Sequence, residues 1–398
     1  MASGTPEETG VAALAKKFEK THPGVKVEIT YKAFADYTRI LPLKLASSTA
    51  PDVAQGNQGY SLDSTLVKRK LIIPLDKYAR KYGWIKLYGQ ATLSQYRLRA
   101  DGKWDGTSQL YGIGHHADFV GVFYNKAKLK KYGSAGPPKT MAQFEAVLAK
   151  AKAAGEAGYL FGNQDGISGT WTLGSMMGYY GNAATVRNWL YGRAGSTFAT
   201  AANRTATNRL RSWVTKGYVT EDFNSVPYPD SITAFSKGEG VFLVTGTWVA
   251  AGVEKELGKN VGFMNLPPGP SHKYQGIGAN SLPWHVSTRS KNPDLAAELV
   301  DTLVNKAAGP VLLSHGRIPS FDTPISATKS ALLRQIVVAW GQMRKDGGQL
   351  LFIDWATPTM LTELEGGIQE VLAGKTSTSD FLTKVQKNWV SFQKTQPK

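Results

Sequence analysis

Cysteine is absent from the chain. That excludes disulfide staples, thiol nucleophiles and thiolate metal sites. Acidic residues are scarce, 30 against 47 Lys and Arg, for a formal net charge of +17. No apolar run reaches the roughly 18–20 residues that cross a bilayer. The start carries no charged-then-apolar export signal, so the amino end reads as trimmed. GK[ST], GxGxxG, HExxH and GxSxG signatures are all missing. No catalytic motif therefore frames an enzyme, and no cofactor is expected. His115 and His116 are adjacent, which on a strand points them to opposite faces and away from one shared metal. No metal site is expected either.

The surplus of positive charge is dispersed. Its densest run is Lys68-Arg69-Lys70, and pairs such as Lys16-Lys17 and Lys130-Lys131 precede apolar residues at helical spacing. Dispersed lysine is a solvated surface, so no nucleic-acid partner is expected.

The chain has 398 residues, 42% of them hydrophobic. At roughly 100–200 residues per domain, two domains are the natural expectation. Ten Trp are more than a core usually needs, which hints at a surface that grips flat ligand faces. Thr5-Pro6-Glu7-Glu8 reads as a helix start, with Val11, Leu14, Ala15 and Phe18 on one face. His22-Pro23-Gly24 ends that helix. Val25, Val27 and Ile29 alternate with polar residues, as in a strand. A helix over about 37–47 follows, then a short buried strand from Pro51 running into the polar loop 55–59. This helix–strand rhythm is that of a doubly wound α/β domain, whose ligands sit at strand carboxyl ends. Further on, 111–124 is strand-rich, and Thr140 with Gln143 caps a helix. Residues 162–181 are polar, aromatic and Gly-rich. Residues 240–245 read as a buried strand, 267–270 as punctuation, and Asn292-Pro293-Asp294 as a helix start.

Seven segments, in order, resemble the extracellular solute-binding protein family 1, the sugar-binding proteins of ABC importers. They are AKKFEKTHPGVKV (15–27), PDVAQGNQG (51–59), LIIPLDKYARKYGW (71–84), YGIGHHADFVGVFYNK (111–126), VGFMNLPPGP (261–270), SKNPDLAAELVDTLV (290–304) and DWATPTMLTELEGGIQEVLAGK (354–375). The resemblance implies the two-lobed periplasmic-binding-protein fold, each lobe a doubly wound α/β sheet flanked by helices. Residues 1–112 and 271–314 would form one lobe, and 117–264 and 320–398 the other. Hinges would lie near 113–116, 265–270 and 315–319. The implied role is capture of a carbohydrate in the interlobe cleft and delivery to the permease, outside the cytoplasmic membrane, by a monomer. One departure stands out. Family members begin with a strand before the first helix, and Gram-positive ones with a lipid-anchoring Cys; only Met1-Ala2-Ser3-Gly4 precede Thr5 here. A shortened, less stable first lobe is expected from that.

Sugars combine hydroxyl edges with apolar C–H faces, so their receptors combine planar polar groups with stacked rings. By the resemblance, Asp118 occupies an acidic ligand-contacting position, with His116 two residues before it. Trp248 and Trp355 occupy stacking positions, and Trp171 with Asp165 resembles a cleft loop. Asn280 and Trp284 lie near the hinge side, and Asn57 and Gln58 in the loop after Val53. Two alternatives differ in class. A same-fold receptor could take a non-carbohydrate or anionic ligand. A glycoside hydrolase would need two carboxylates flanking the bond, drawn from Asp118, Asp165 and Asp354.

Overall fold

The computed structural model describes residues 1, 9–322, 324, 326 and 328–396. Its strands are β1 (Val53–Gln55), β2 (Arg97–Leu98), β3 (Gln109–Leu110), β4 (His116–Asn125), β5 (Phe242–Gly246), β6 (Val261–Met264), β7 (Gly276–Asn280), β8 (Trp284–Val286), β9 (Ile318–Pro319) and β10 (Gln349–Leu350). Helices cover them, giving the mixed α/β architecture expected from sequence.

Strand β4 organises the larger sheet. It is apolar and buried almost throughout, as a strand covered on both faces must be. Along one edge it pairs with β7 and then β6, along the other with β9 and then β5. β10 adds in parallel outside β7. From sequence, β7 is expected in the first lobe with the rest of 271–314; its hydrogen bonds lie in this larger sheet. The helix Ile167–Tyr180 approaches β7 closely at Gly174, where a Cβ would lie 2.0 Å from Ile277. The smaller unit is built on β1 paired antiparallel with β8. The helices Val11–Thr21 and Pro293–Val304 pack on it around Leu14, Trp84, Tyr88, Val286 and Val300.

Several helix signals act as the sequence indicates. Thr140 Oγ1 accepts the Gln143 N–H while Gln143 Oε1 accepts the Lys139 N–H, a reciprocal cap for Met141–Ala153. Asn292 Oδ1 accepts the Leu295 N–H at the start of Pro293–Val304. The expected start at Thr5–Glu8 lies outside the described residues.

Three local expectations fail. Residues 25–29 form no strand. The Val25 N–H bonds the His22 carbonyl and the Val27 N–H bonds Glu19 Oε1, both on the preceding helix end. Alternation chooses which side chains face inward, but a strand also needs a neighbour's donors and acceptors in register. Among the described residues only Met1 supplies them, and only at the far end, donating to the Thr30 carbonyl and accepting from the Lys32 N–H. Between this segment and β1 runs a groove of about 790 Å³, lined in part by Phe18, Val27, Ile29, Val53 and Trp284. Secondly, the cleft loop expected around Asp165 and Trp171 is largely the helix Ile167–Tyr180. Its weak intrinsic preference is overridden by burial, since ten of its residues from Ser168 to Gly178 are buried. Thirdly, His115 and His116 do not point apart. His115 sits in a bend ahead of β4, and its Nε2 lies 3.1 Å from His116 Nδ1.

Candidate binding cleft

One wall of the site is aromatic. β5 ends at Gly246, and the chain turns at Thr247–Val249 to bring Trp248 back over the strand. Only glycine fits at 246, because a Cβ there would lie 2.0 Å from the Trp248 ring. Trp248 Nε1 donates to the Tyr228 hydroxyl at 3.0 Å, which shares a 2.7 Å hydrogen bond with Thr245 Oγ1. Trp171 projects from the helix Ile167–Tyr180, its ring 4.9 Å from Trp248 and 5.2 Å from Tyr228. Phe352 continues the row, 6.4 Å from Trp248 and 5.1 Å from Trp355. Trp171, Tyr228, Trp248 and Phe352 are only half-buried, whereas Trp355 is 5% exposed. Four adjoining rings thus keep part of their faces free, an arrangement suited to apolar ring surfaces.

The polar groups gather where β4, β7 and the turn after β1 meet. Asp118 follows on the Trp248 side, because Val120, two residues on, pairs with Gly246. Its Oδ2 lies 2.9 Å from His116 Nε2, and Thr247 Oγ1 is 3.5 Å from Oδ1. Burial alone would raise the Asp118 carboxyl; His116, by charge and hydrogen bond, and Arg317 outweigh it and hold it below the ordinary carboxylate range. His115 is held well below the ordinary histidine value by burial, and further by His116 and Arg317, so it is neutral. Gln58 is wholly buried. Its Nε2 donates to the Asn280 carbonyl at 2.9 Å and the Ser281 carbonyl at 3.1 Å, while its Oε1 has no partner among the described residues. Asn280 is 1% exposed, and among the described residues neither its amide oxygen nor its amide nitrogen has a partner. An unmet buried polar group costs about 1–3 kcal/mol.

A buried ion pair fixes the turn after β1. Asp63 Oδ1 accepts the Asn57 N–H at 2.9 Å and faces His285 Nε2 at 3.0 Å; His285 Nδ1 faces the Tyr111 carbonyl at 2.8 Å. Both ring nitrogens of His285 meet acceptors, which requires both to carry protons. Burial disfavours that charge, but Asp63 and the Tyr111 carbonyl prevail and hold His285 above its ordinary value. Gly56 makes room for the pair, since a Cβ there would lie 2.1 Å from Asp63 Oδ1.

The expected site residues divide accordingly. Trp171 and Trp248 come together, with Trp355 beyond Phe352. His116 and Asp118 form one pair, Gln58 and Asn280 another. Asn57 holds the turn through its backbone. Asp165 is exposed and accepts the Ile167 N–H at the start of its helix. Trp284 is set apart: it packs in the core of the β1/β8 unit and donates Nε1–H to His115 Nδ1 at 3.1 Å. Sequence reasoning missed Tyr228 and Phe352, and also Trp104, whose ring lies 4.8 Å from Tyr191 and 6.3 Å from Trp355. Tyr228 carried a signal, an aromatic between Pro227 and Pro229 at a helix start. Across the same seam Tyr60 packs on Phe392 and Arg193 donates to the Asp105 carbonyl, so the two halves of the chain meet around the wall.

A carboxylate group borders the wall as well. Glu365 is pushed up to about 7 by burial, then by Asp165 and Asp354, and burial pushes Asp354 up to about 6. Among the described residues no group of three His, Asp or Glu could hold a metal ion.

Comparison with known proteins agrees with this architecture. The Multiple sugar-binding protein of Streptococcus mutans is 20% identical over 303 residues, 74% of this chain and 68% of that protein. A chitin oligosaccharide binding protein superposes with a TM-score of 0.81 at 19% identity, covering 99% of this chain and 98% of its own. The GacH receptor of Streptomyces glaucescens, solved unliganded and with acarbose, superposes at 0.78 and 19% identity, covering 100% and 98%. The two-lobed periplasmic-binding-protein fold is therefore that of this chain. The bacterial extracellular solute-binding protein family matches residues 2–310, and the chain belongs to that family.

Proposed function

We propose that the chain is the substrate-binding component of an ABC importer, and that it captures a neutral oligosaccharide and passes it unaltered to the membrane permease. The observation that carries this is the row of half-exposed rings, Trp171, Tyr228, Trp248 and Phe352, beside the buried amides of Gln58, whose Oε1 has no partner among the described residues, and Asn280, whose amide atoms both lack one there. Rings cover sugar C–H faces and amides meet pairs of hydroxyls. Relatives named for sugars and oligosaccharides support the same ligand class. The protein works outside the cytoplasmic membrane and as a monomer. Residues 1–112 belong to the first lobe, and 117–264 with 320–398 to the second. The pairing of β7 with β4 and β10 supports adding 271–280 to the second lobe, with the crossover at 281–284.

A thermal-shift panel of neutral chito-, xylo-, malto- and galacto-oligosaccharides tests this, followed by calorimetry and chromatography of the recovered sugar. A ligand at 100 times its Kd stabilises by about 2.7 kcal/mol, which is easily read. No shift with any of them on folded protein overturns the ligand class, and recovery of cleaved sugar overturns capture without chemistry.

A further inference from the structure

The net charge of +17 has no role in a cleft for a neutral sugar, and part of it is concentrated at one place. The helix Asp63–Lys68 ends in the turn Arg69-Lys70-Leu71. There the Leu71 N–H bonds the Leu66 carbonyl and the Lys70 N–H bonds the Val67 carbonyl, the Schellman arrangement. Its left-handed position is one that glycine adopts freely, yet it holds a lysine, with φ 53°. The strand β8 runs out beside this turn: the Thr288 N–H donates to the Leu71 carbonyl at 3.1 Å, and Thr288 Oγ1 donates to the Lys70 carbonyl at 3.0 Å. That contact brings Arg289 and Lys291 alongside Lys68, Arg69 and Lys70. All five are exposed, and none forms an ion pair among the described residues. Of the neighbouring carboxylates Asp101 pairs with Arg99, whereas Asp52 accepts from Ser290 Oγ, between Arg289 and Lys291, so the five cations share the patch with one carboxylate. Lys26 lines the same groove as Arg289 and Lys291.

The position of this cluster excludes the cleft as its purpose. β1 leads from Val53, opposite Val286, to Gln55, opposite Trp284, and only then to Asn57 and Gln58. The cations follow Val286, at the other end of that ribbon. Its three residues alone span about 10 Å, and the site lies beyond them.

We propose that this pole of the first lobe is a docking surface for an anionic phospholipid bilayer. A flat, mobile array of headgroup phosphates suits five exposed cations on two adjoining turns, two of which, Arg289 and Lys291, sit at the groove between residues 25–29 and β1. Each Lys or Arg that reaches an anionic surface raises partitioning about five-fold. Retaining Lys70 where glycine would be unstrained is consistent with that use. Docking leaves the cleft free, so vesicle binding and sugar binding are separate readouts, and failure of one leaves the other standing.

The test is co-sedimentation of the whole chain with vesicles of phosphatidylcholine alone, or with about a third phosphatidylglycerol to set a negative surface potential. Two variants carry equal net charge. One is Lys68→Gln, Arg69→Gln, Lys70→Gly, Arg289→Gln and Lys291→Gln. The other removes five exposed lysines elsewhere, Lys139, Lys152, Lys216, Lys375 and Lys394, each to Gln. The parent should bind the anionic vesicles alone, less at high salt. The first variant should lose that binding by about 100-fold or more, and the second should keep most of it. Should the five-site variant melt early, Arg289→Gln with Lys291→Gln is the substitute, expected to weaken binding about 25-fold. Equal loss in both charge-matched variants would place the attraction in the overall charge and overturn the surface. Absence of vesicle binding overturns it also, including the case where soluble polyphosphate binds and vesicles do not.

Discussion

Trp248 and Trp355 separate a ligand-facing ring from a core ring. In Trp248→Ala the row of rings loses its middle member. The indole is half-buried, rests over Gly246 and donates one hydrogen bond, to Tyr228. Truncating a fully buried Trp costs about 3–5 kcal/mol, so a half-exposed one should cost about 1–2. Against a total stability of about 5–15 kcal/mol the variant stays folded. A stacking ring at the centre of a binding site is worth about 1–3 kcal/mol, so sugar affinity should fall about 5- to 150-fold. Trp355 is 5% exposed and packed among Phe352 and Trp104, so Trp355→Ala should lose about 3–5 kcal/mol of stability. Scanning calorimetry on each variant measures the first quantity, and titration calorimetry with the best sugar of the panel measures the second. Folded Trp248→Ala with unchanged Kd would refute the stacking role. So would Trp248→Ala melting as early as Trp355→Ala, because its ring would then be core.

Other perturbations bear on neighbouring parts. His285→Leu leaves Asp63 buried without its partner and should cost about 3–5 kcal/mol in urea unfolding, partly recovered by Asp63→Asn in the same chain. Glu365 and Asp354 have raised values in the fold, so their contribution to stability is complete below the ordinary carboxylate range. It fades as pH rises through about 6 and about 7. Melting temperature should therefore decline over that window, and Glu365→Gln should flatten the decline; a parallel profile in the variant would exclude Glu365 as its source. His115 has the opposite sign, since its lowered value adds stability above the ordinary histidine range and loses it as pH falls. Trp104→Ala removes the ring between Tyr191 and Trp355 and should widen the unliganded protein in small-angle scattering; an unchanged radius of gyration would show that this contact does not hold the halves together.

Much of this protein is written locally. Caps at Thr140 and Asn292, the apolar face of Val11, Leu14 and Phe18, and the continuous apolar run of β4 depend on near neighbours in the chain, so they are legible without coordinates. Trp171 and Trp248 could be named as candidates because their segments resemble positions at which the family holds cleft residues. What tertiary structure alone decided are relations between distant segments. Residues 25–29 alternate like a strand, but a strand exists only where another backbone meets it. The stretch around Asp165 and Trp171 resembles a cleft loop, but glycines that permit contact with Ile277 and Ile368 let Ile167–Tyr180 pack as a buried helix. Tyr228 joins Trp248 across 20 residues and His285 joins Asp63 across 222, and no periodicity foretells either. Sequence fixes which side chains are available and which local shapes they favour. The partner of each polar group, and so whether a residue such as Asn280 is satisfied or waiting for a ligand, is settled only when the chain folds back on itself.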